Sequence, residues 1–185
     1  MKSLLPLLLL ASGAFANDVA SANENTNCSW PLNIPAASLL LVGEVHGTNE
    51  TPALIGDLAC ASATSGSPVV VALEIPIEEQ TSLDNFLASK GSDADQAALL
   101  ATQFWARQPQ DGRSSVAMLK LLHRLRTLRT EGAAISVLAV DDGMAGSRDA
   151  GMARHIRSAH GGGATVIVSP ARKLDPGILR GLRAN

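Results

Sequence analysis

Four short apolar runs, separated by stretches of helical periodicity, constrain the fold of this chain more than any other feature. They are Ala37-Ser38-Leu39-Leu40-Leu41-Val42, Val69-Val70-Val71-Ala72-Leu73, Ala134-Ile135-Ser136-Val137-Leu138-Ala139-Val140 and Thr165-Val166-Ile167-Val168. None alternates apolar and polar residues strictly, so each reads as a strand buried on both faces, which is the habit of parallel sheets. Strand, helix and strand in turn, joined by short links, build a parallel α/β unit. The expectation is an α/β domain over 37–168: a mainly parallel sheet, flanking helices, and a helical insertion at about 77–131 between the second and third strands.

The helices follow from periodicity and punctuation. Asn49 or Thr51 can cap a helix over 52–63, with Pro52 suited to the first turn. The spacing predicts a helix over 77–89, and another opening at Ser92 or Asp93 and running through Leu99, Leu100, Phe104 and Trp105. A loop follows over 108–113, flanked by Trp105, Arg107 and Arg113, side chains that could overhang a cleft as a lid. Ser114 then caps a helix that sets Met118, Leu119, Leu122, Leu125 and Leu128 on one side and Lys120, Arg124, Arg126 and Arg129 on a solvated other side. A last helix over 148–160 closes on Gly161-Gly162-Gly163.

Three of the four strands deliver carboxylates at their carboxyl ends. Glu44 follows the first within Gly43-Glu44-Val45-His46-Gly47-Thr48, Glu74 ends the second, and Asp141-Asp142 end the third. Parallel strands put all of these on one edge, where open α/β sheets bind ligands. One carboxylate could be a helix cap, but three with a histidine mark a functional cleft. Glu44, His46 and Glu74 form its centre; Asp141 and Arg148 are candidate binding groups, and Arg148 is also placed to pair with the neighbouring acids. Such a set has donors for a hard or borderline divalent ion such as Mn²⁺. The Gly-x-Ser-x-Gly elbow, the His-Glu-x-x-His zinc motif and the phosphate-binding glycine loops are all absent. His123, His155 and His160 read as a boundary residue and two helix-end residues rather than ligands.

The start of the chain reads as an export signal. Lys2 precedes the apolar stretch Leu4 to Leu10, and Ala14-Phe15-Ala16 is a small-x-small cleavage site, which assigns 1–16 to a signal peptide and 17–36 to a leader. The apolar stretch falls short of the roughly 20 residues that a membrane span needs. An exported, periplasmic chain meets oxidising conditions, where Cys28 and Cys60 are expected to pair, the alternative being two buried thiols. With 15 basic against 17 acidic residues the net charge is −2, which argues against a nucleic-acid surface. The partner expected is a small-molecule ligand or substrate; no oligomeric state follows.

Gly43-Glu44-Val45-His46-Gly47-Thr48 with Glu50 and Pro52, then Leu73-Glu74-Ile75-Pro76, resembles the erythromycin-esterase/ChaN-like superfamily, which also contains the Tiki and TraB proteins. Arg148-Asp149-x-x-Met152-Ala153 after a strand ending in acids, and the helical insertion before it, are similar to the ChaN-like branch. The resemblance spans about 37–168. It implies an α/β fold with a helical subdomain, and either a hydrolase or a haem-binding protein. In the hydrolytic reading His46 activates water while Glu44 and Glu74 orient it or supply a proton. The rival reading is a periplasmic binder of haem or another small ligand that does no chemistry. The chain contains no tyrosine, so haem ligation by tyrosine is excluded and only His46, His123, His155 or His160 is left for it. The family also implies a further histidine after the last core strand, and no histidine lies beyond His160. The expectation is therefore a chain that diverges or is truncated after Val168, with 169–185 a divergent tail; an inactive family remnant is the third reading.

Overall fold

The computed structural model of the protein describes Cys28 and residues 33–169. The expected signal peptide, most of the leader, and the tail beyond Ser169 lie outside the described residues, and so does any continuation that would bear the missing histidine.

Four strands form one parallel sheet: β1 (Leu39–Leu41), β2 (Val69–Pro76), β3 (Ile135–Asp141) and β4 (Thr165–Ser169). Their spatial order is β1-β4-β2-β3. The last strand thus inserts between the first two, with Leu39 opposite Val166 on one side and Val69 opposite Thr165 on the other. The helices are α1 (Glu50–Ala63), α2 (Gln80–Ala88), α3 (Asp93–Leu100), α4 (Gln103–Ala106), α5 (Val116–Thr130) and α6 (Arg148–His160), and Ile77–Glu79 forms a 3-10 turn ahead of α2. The architecture is the expected α/β type, with the helical insertion between the second and third strands.

Alternation along the strands divides the core in two. Val69, Val71, Leu73 and Ile75 of β2 face one side with Ile135, Val137 and Ala139 of β3, and there meet Ile55 and Ala59 of α1, Leu83 and Phe86 of α2, and Leu122 and Leu125 of α5. Ala72, Val140, Val166 and Val168 face the other side, against Met152 and Ile156 of α6. Each fully buried Leu, Ile or Met contributes roughly 1.5–3 kcal/mol. The crossovers β1 to β2 and β2 to β3 travel one way across the sheet, whereas β3 to β4 travels back. With right-handed crossovers, that reversal carries α6 to the opposite face from α1 and α5. The outer edge of β3 is blunted by Gln80, whose amide donates to the Val137 carbonyl at 2.9 Å and accepts from the Ala139 N–H at 2.8 Å.

Three expectations need correction. The helix opening at Asp93 stops at Leu100, because Thr102 takes an extended conformation and starts a separate helix, α4, whose Phe104 N–H is held at 3.2 Å by the Glu79 carboxylate. The predicted helix over 77–89 begins as a 3-10 turn. On α5, Lys120 and Arg129 are exposed as expected, but Arg124 pairs with Asp57 of α1 at 2.7 Å. Arg126 lies over Gly91, where a Cβ would come within 2.4 Å of its guanidinium carbon. Ile34, ahead of β1, is buried. Cys28 and Cys60 form a disulfide that ties the segment before β1 to α1. Among the described residues no helix is long and apolar enough to cross a membrane.

Candidate functional site

The carboxyl ends of the four strands bring Glu44, Ser169, Glu74 and Asp141 to one edge, in the order in which their strands lie. Two backbone devices aim them. Between Leu73 and Pro76 the register of β2 against β3 shifts, an irregularity spanning Glu74 and Ile75 of the kind that re-aims side chains beside active sites. Beyond β1 the chain turns over Val45–Thr48, where the Thr48 N–H and hydroxyl reach the Val45 carbonyl at 3.3 and 3.0 Å. Gly47 occupies the third position of that turn with φ +85°, a conformation that a side chain would strain. His46 stands at the second position, at the crest of the turn.

His46 lies between two buried carboxylates. Its Nδ1 is 3.3 Å from Glu44 Oε1, and its Nε2 is 3.6 Å from Glu74 Oε2. The glutamates are 5% and 7% exposed, whereas the imidazole keeps 18% of its side-chain surface open to solvent. Glu44 is fixed from behind by the buried Ser169 hydroxyl, which donates to Oε2. With Nδ1–H donating to Glu44, Nε2 is left as the basic nitrogen, facing Glu74 across a gap wider than a hydrogen bond.

Glu74 and Asp141 are held by two arginines. Arg148, the first residue of α6, donates through Nε to Asp141 Oδ1 at 2.6 Å and through Nη2 to Asp141 Oδ2 at 2.8 Å, and Nη2 also reaches Glu74 Oε1. Arg113 comes from the loop ahead of α5 and donates through Nη1 to Asp141 Oδ2 at 2.6 Å and to the Glu74 carbonyl at 3.4 Å. Burial pushes the Asp141 carboxyl up, but the hydrogen bonds from Arg148 and Arg113 outweigh it and hold the group below its ordinary range. The same bond to Asp141 raises Arg148, against the opposing effect of burial. The result is one chain of contacts across all four strand ends: Ser169, Glu44, His46, Glu74, Arg148, Asp141 and Arg113.

The structure thus gathers all five sequence candidates, His46, Glu44, Glu74, Asp141 and Arg148, in one cluster. It separates the paired acids of β3, however. Asp142 turns from the cluster to accept from the Met144 N–H at 3.2 Å and to lie 3.4 Å from Arg154 and 3.5 Å from His155. His123 bonds Gln96 at 2.8 Å and His160 bonds the Ala37 carbonyl at 3.0 Å, both away from the site. Two members stand differently from the sequence reading. Arg113 was expected to overhang the cleft as part of a lid rather than to bond Asp141, and Ser169 lay one residue beyond the expected strand.

The donor set does not suit a divalent ion. Arg148 and Arg113 occupy the carboxylate oxygens of Asp141, Arg148 takes one oxygen of Glu74, and Ser169 takes one of Glu44. Among the described residues no group of three or more His, Cys, Asp or Glu side chains could hold a metal. Both ring nitrogens of His46 face carboxylates, Glu44 on one side and Glu74 on the other.

No protein-family model and no curated protein matches the chain. Among solved structures, the type III effector HopBA1 is similar in fold, with a TM-score of 0.50 and 17% identity over 72% of this chain and 67% of that one. A structure described as bacterial protein toxins gives a TM-score of 0.49 and 16% identity; this chain spans only 27% of its length. The HopBA1 likeness is one of fold alone.

Proposed function

We propose that the protein is an exported, periplasmic hydrolase of the ChaN/erythromycin-esterase-like kind, in which His46 activates water for attack on an ester or amide of a small molecule. One observation carries this reading: a partly exposed imidazole set between two buried carboxylates, 3.3 Å from Glu44 and 3.6 Å from Glu74, on the ligand-binding edge of a parallel sheet. Glu44 holds the Nδ1–H tautomer and steadies the imidazolium that forms when Nε2 takes a proton from water. A water bridging Nε2 and Glu74 Oε2 has a base on one side and an acceptor on the other. Glu74, its other oxygen fixed by Arg148, orients that water. The Cys28–Cys60 disulfide supports export, since such bonds persist in oxidising compartments.

The test is His46→Gln, assayed on a panel of chromogenic esters and amides that the native chain turns over. General-base loss should lower kcat/KM by about 10²–10⁴-fold. The melting temperature should stay within a few degrees, since the variant removes no apolar burial. Native turnover by the variant would overturn the role of His46. Recovery of the tagged full-length chain in the cytoplasmic fraction would overturn the export reading.

A further inference from the structure

The loop from Arg107 to Arg113 makes two approaches to the catalytic edge that the water-activating chemistry does not itself call for. At Gly112, where φ is +90°, an added Cβ would stand 2.5 Å from the Gly47 nitrogen, 2.7 Å from the His46 carbonyl carbon and 2.9 Å from the Gly47 Cα. The backbone of the insertion therefore lies directly against the turn that carries His46. One residue on, Arg113 reaches past that turn to Asp141 and the Glu74 carbonyl. The loop is braced within itself. Asp111 accepts from the Arg113 N–H at 3.1 Å and from its Nε at 2.9 Å, and it also binds Arg107. Arg107 lies 4.2 Å above the Phe104 ring, a cation–π contact. Gln110 donates to the carbonyls of Trp105 and Arg107 at 3.0 and 2.9 Å. Phe104 is tied in turn to Glu79, just beyond β2.

We propose that the Arg107–Arg113 loop is a positioning strap: Gly112, packed on the His46–Gly47 backbone, and Arg113, bonded to Asp141 and the Glu74 carbonyl, together set the imidazole between Glu44 and Glu74. The proposal rests on the reading of His46 as the base, and it makes Asp111, Gly112 and Arg113 positioning residues rather than catalytic ones. It also gives the helical insertion a task, because its folding completes a site whose acids and histidine all come from elsewhere.

The experiment uses the full chain labelled with ¹⁵N-histidine. The ring-nitrogen shifts of His46, assigned by their loss in His46→Gln, report which nitrogen carries the proton. Gly112→Ala, Asp111→Ala and Arg113→Met are compared with Gly66→Ala, where φ is also positive (+78°) but nothing lies within 4 Å of the added methyl. Backbone strain alone therefore appears in the Gly66 variant, and displacement of the turn only in the Gly112 variant. The expected result is altered His46 tautomer signals in the three strap variants and native signals in Gly66→Ala. With a hydrolysed ester, kcat should fall by about 10–100-fold while KM stays within about twofold, as a displacement near 1 Å implies. Should Gly112→Ala fail to fold, Asp111→Ala and Arg113→Met decide the matter. Native His46 signals in the folded strap variants would overturn the proposal. Absence of hydrolysis by the native chain would sink the hydrolase reading instead, and the nitrogen shifts would still test the strap.

Discussion

Arg148→Met removes the guanidinium that joins Glu74 to Asp141 while keeping most of the aliphatic stem. The two acids retain only 6% and 11% side-chain exposure, so they cannot recover solvation where they stand. Breaking a fully buried pair costs about 3–5 kcal/mol, and an exposed pair contributes about 0.2–1 kcal/mol. Arg148 itself is 45% exposed, and Arg113 still holds Asp141 at 2.6 Å. We therefore expect a loss of about 2 kcal/mol, between those limits, from urea unfolding at pH 7. The pH dependence separates charge from packing. Asp141 is depressed below its ordinary 3.8 in the native state, so the stability it contributes is complete above about pH 4 and drains as pH falls through the lower folded-state value. In Arg148→Met that depression shrinks, and the deficit should be largest at pH 7 and narrow as pH falls below the ordinary carboxylate value of 3.8. Arg148→Lys should recover less than half of the loss, because an ammonium cannot reproduce the paired Nε and Nη2 bonds to one carboxylate. A deficit of equal size at pH 7 and pH 3 would refute the electrostatic account and point to lost packing in the first turn of α6.

Two further perturbations probe the edges of the same framework. Ser169→Ala deletes the hydroxyl that donates to Glu44; unfolding should show a loss of about 1–3 kcal/mol at pH 7, and ester turnover should fall with it as Glu44 loosens. Unchanged stability would mean that Glu44 is held by other groups. Removing the disulfide as Cys28→Ala with Cys60→Ala should cost about 3–4 kcal/mol by the loop-entropy estimate for a sequence separation of 32. The urea midpoint of the double variant should match that of the reduced native chain, and a mismatch would show that the substitutions do more than open the loop.

What the sequence disclosed follows from how local each signal is. Strands and helices were legible because burial on both faces leaves unbroken apolar runs, and because α6 is bounded by Ser147, whose hydroxyl caps Ala150, and by a glycine stop. Glu44, His46, Glu74 and Asp141 were legible because parallel strands must present their carboxyl ends together. Arg148 was legible because it opens a helix soon after β3. The break between α3 and α4 was not, since Phe104 is held by Glu79, 25 residues away in the chain. Strand order was not legible either, because the apolar runs of β1 and β4 carry no pattern that says which neighbour each will take. The bond that Arg113 makes was hidden for a similar reason. Its partner Asp141 lies 28 residues on, and only the folded insertion brings the two together.

The position of β4 decides what kind of site this can be. Were β1 and β2 adjacent, Glu44 and Glu74 would leave neighbouring strand ends, with like charges close together and His46 crowded between them. With β4 between them, one strand spacing of roughly 4.8 Å is added, and the end of β4 supplies a neutral donor, Ser169, to the acid nearest it. On the far side the two arginines offset Glu74 and Asp141. The acids are thus sorted by partner, one held by a hydroxyl and two by guanidinium groups. The Nε2 nitrogen of His46 therefore faces an acid whose other oxygen Arg148 already occupies, and under the proposed mechanism Glu74 Oε2 is the oxygen that a bridging water would meet. In the proposed hydrolase that asymmetry would direct a proton from water to Nε2, and it depends on the strand that ends at Ser169.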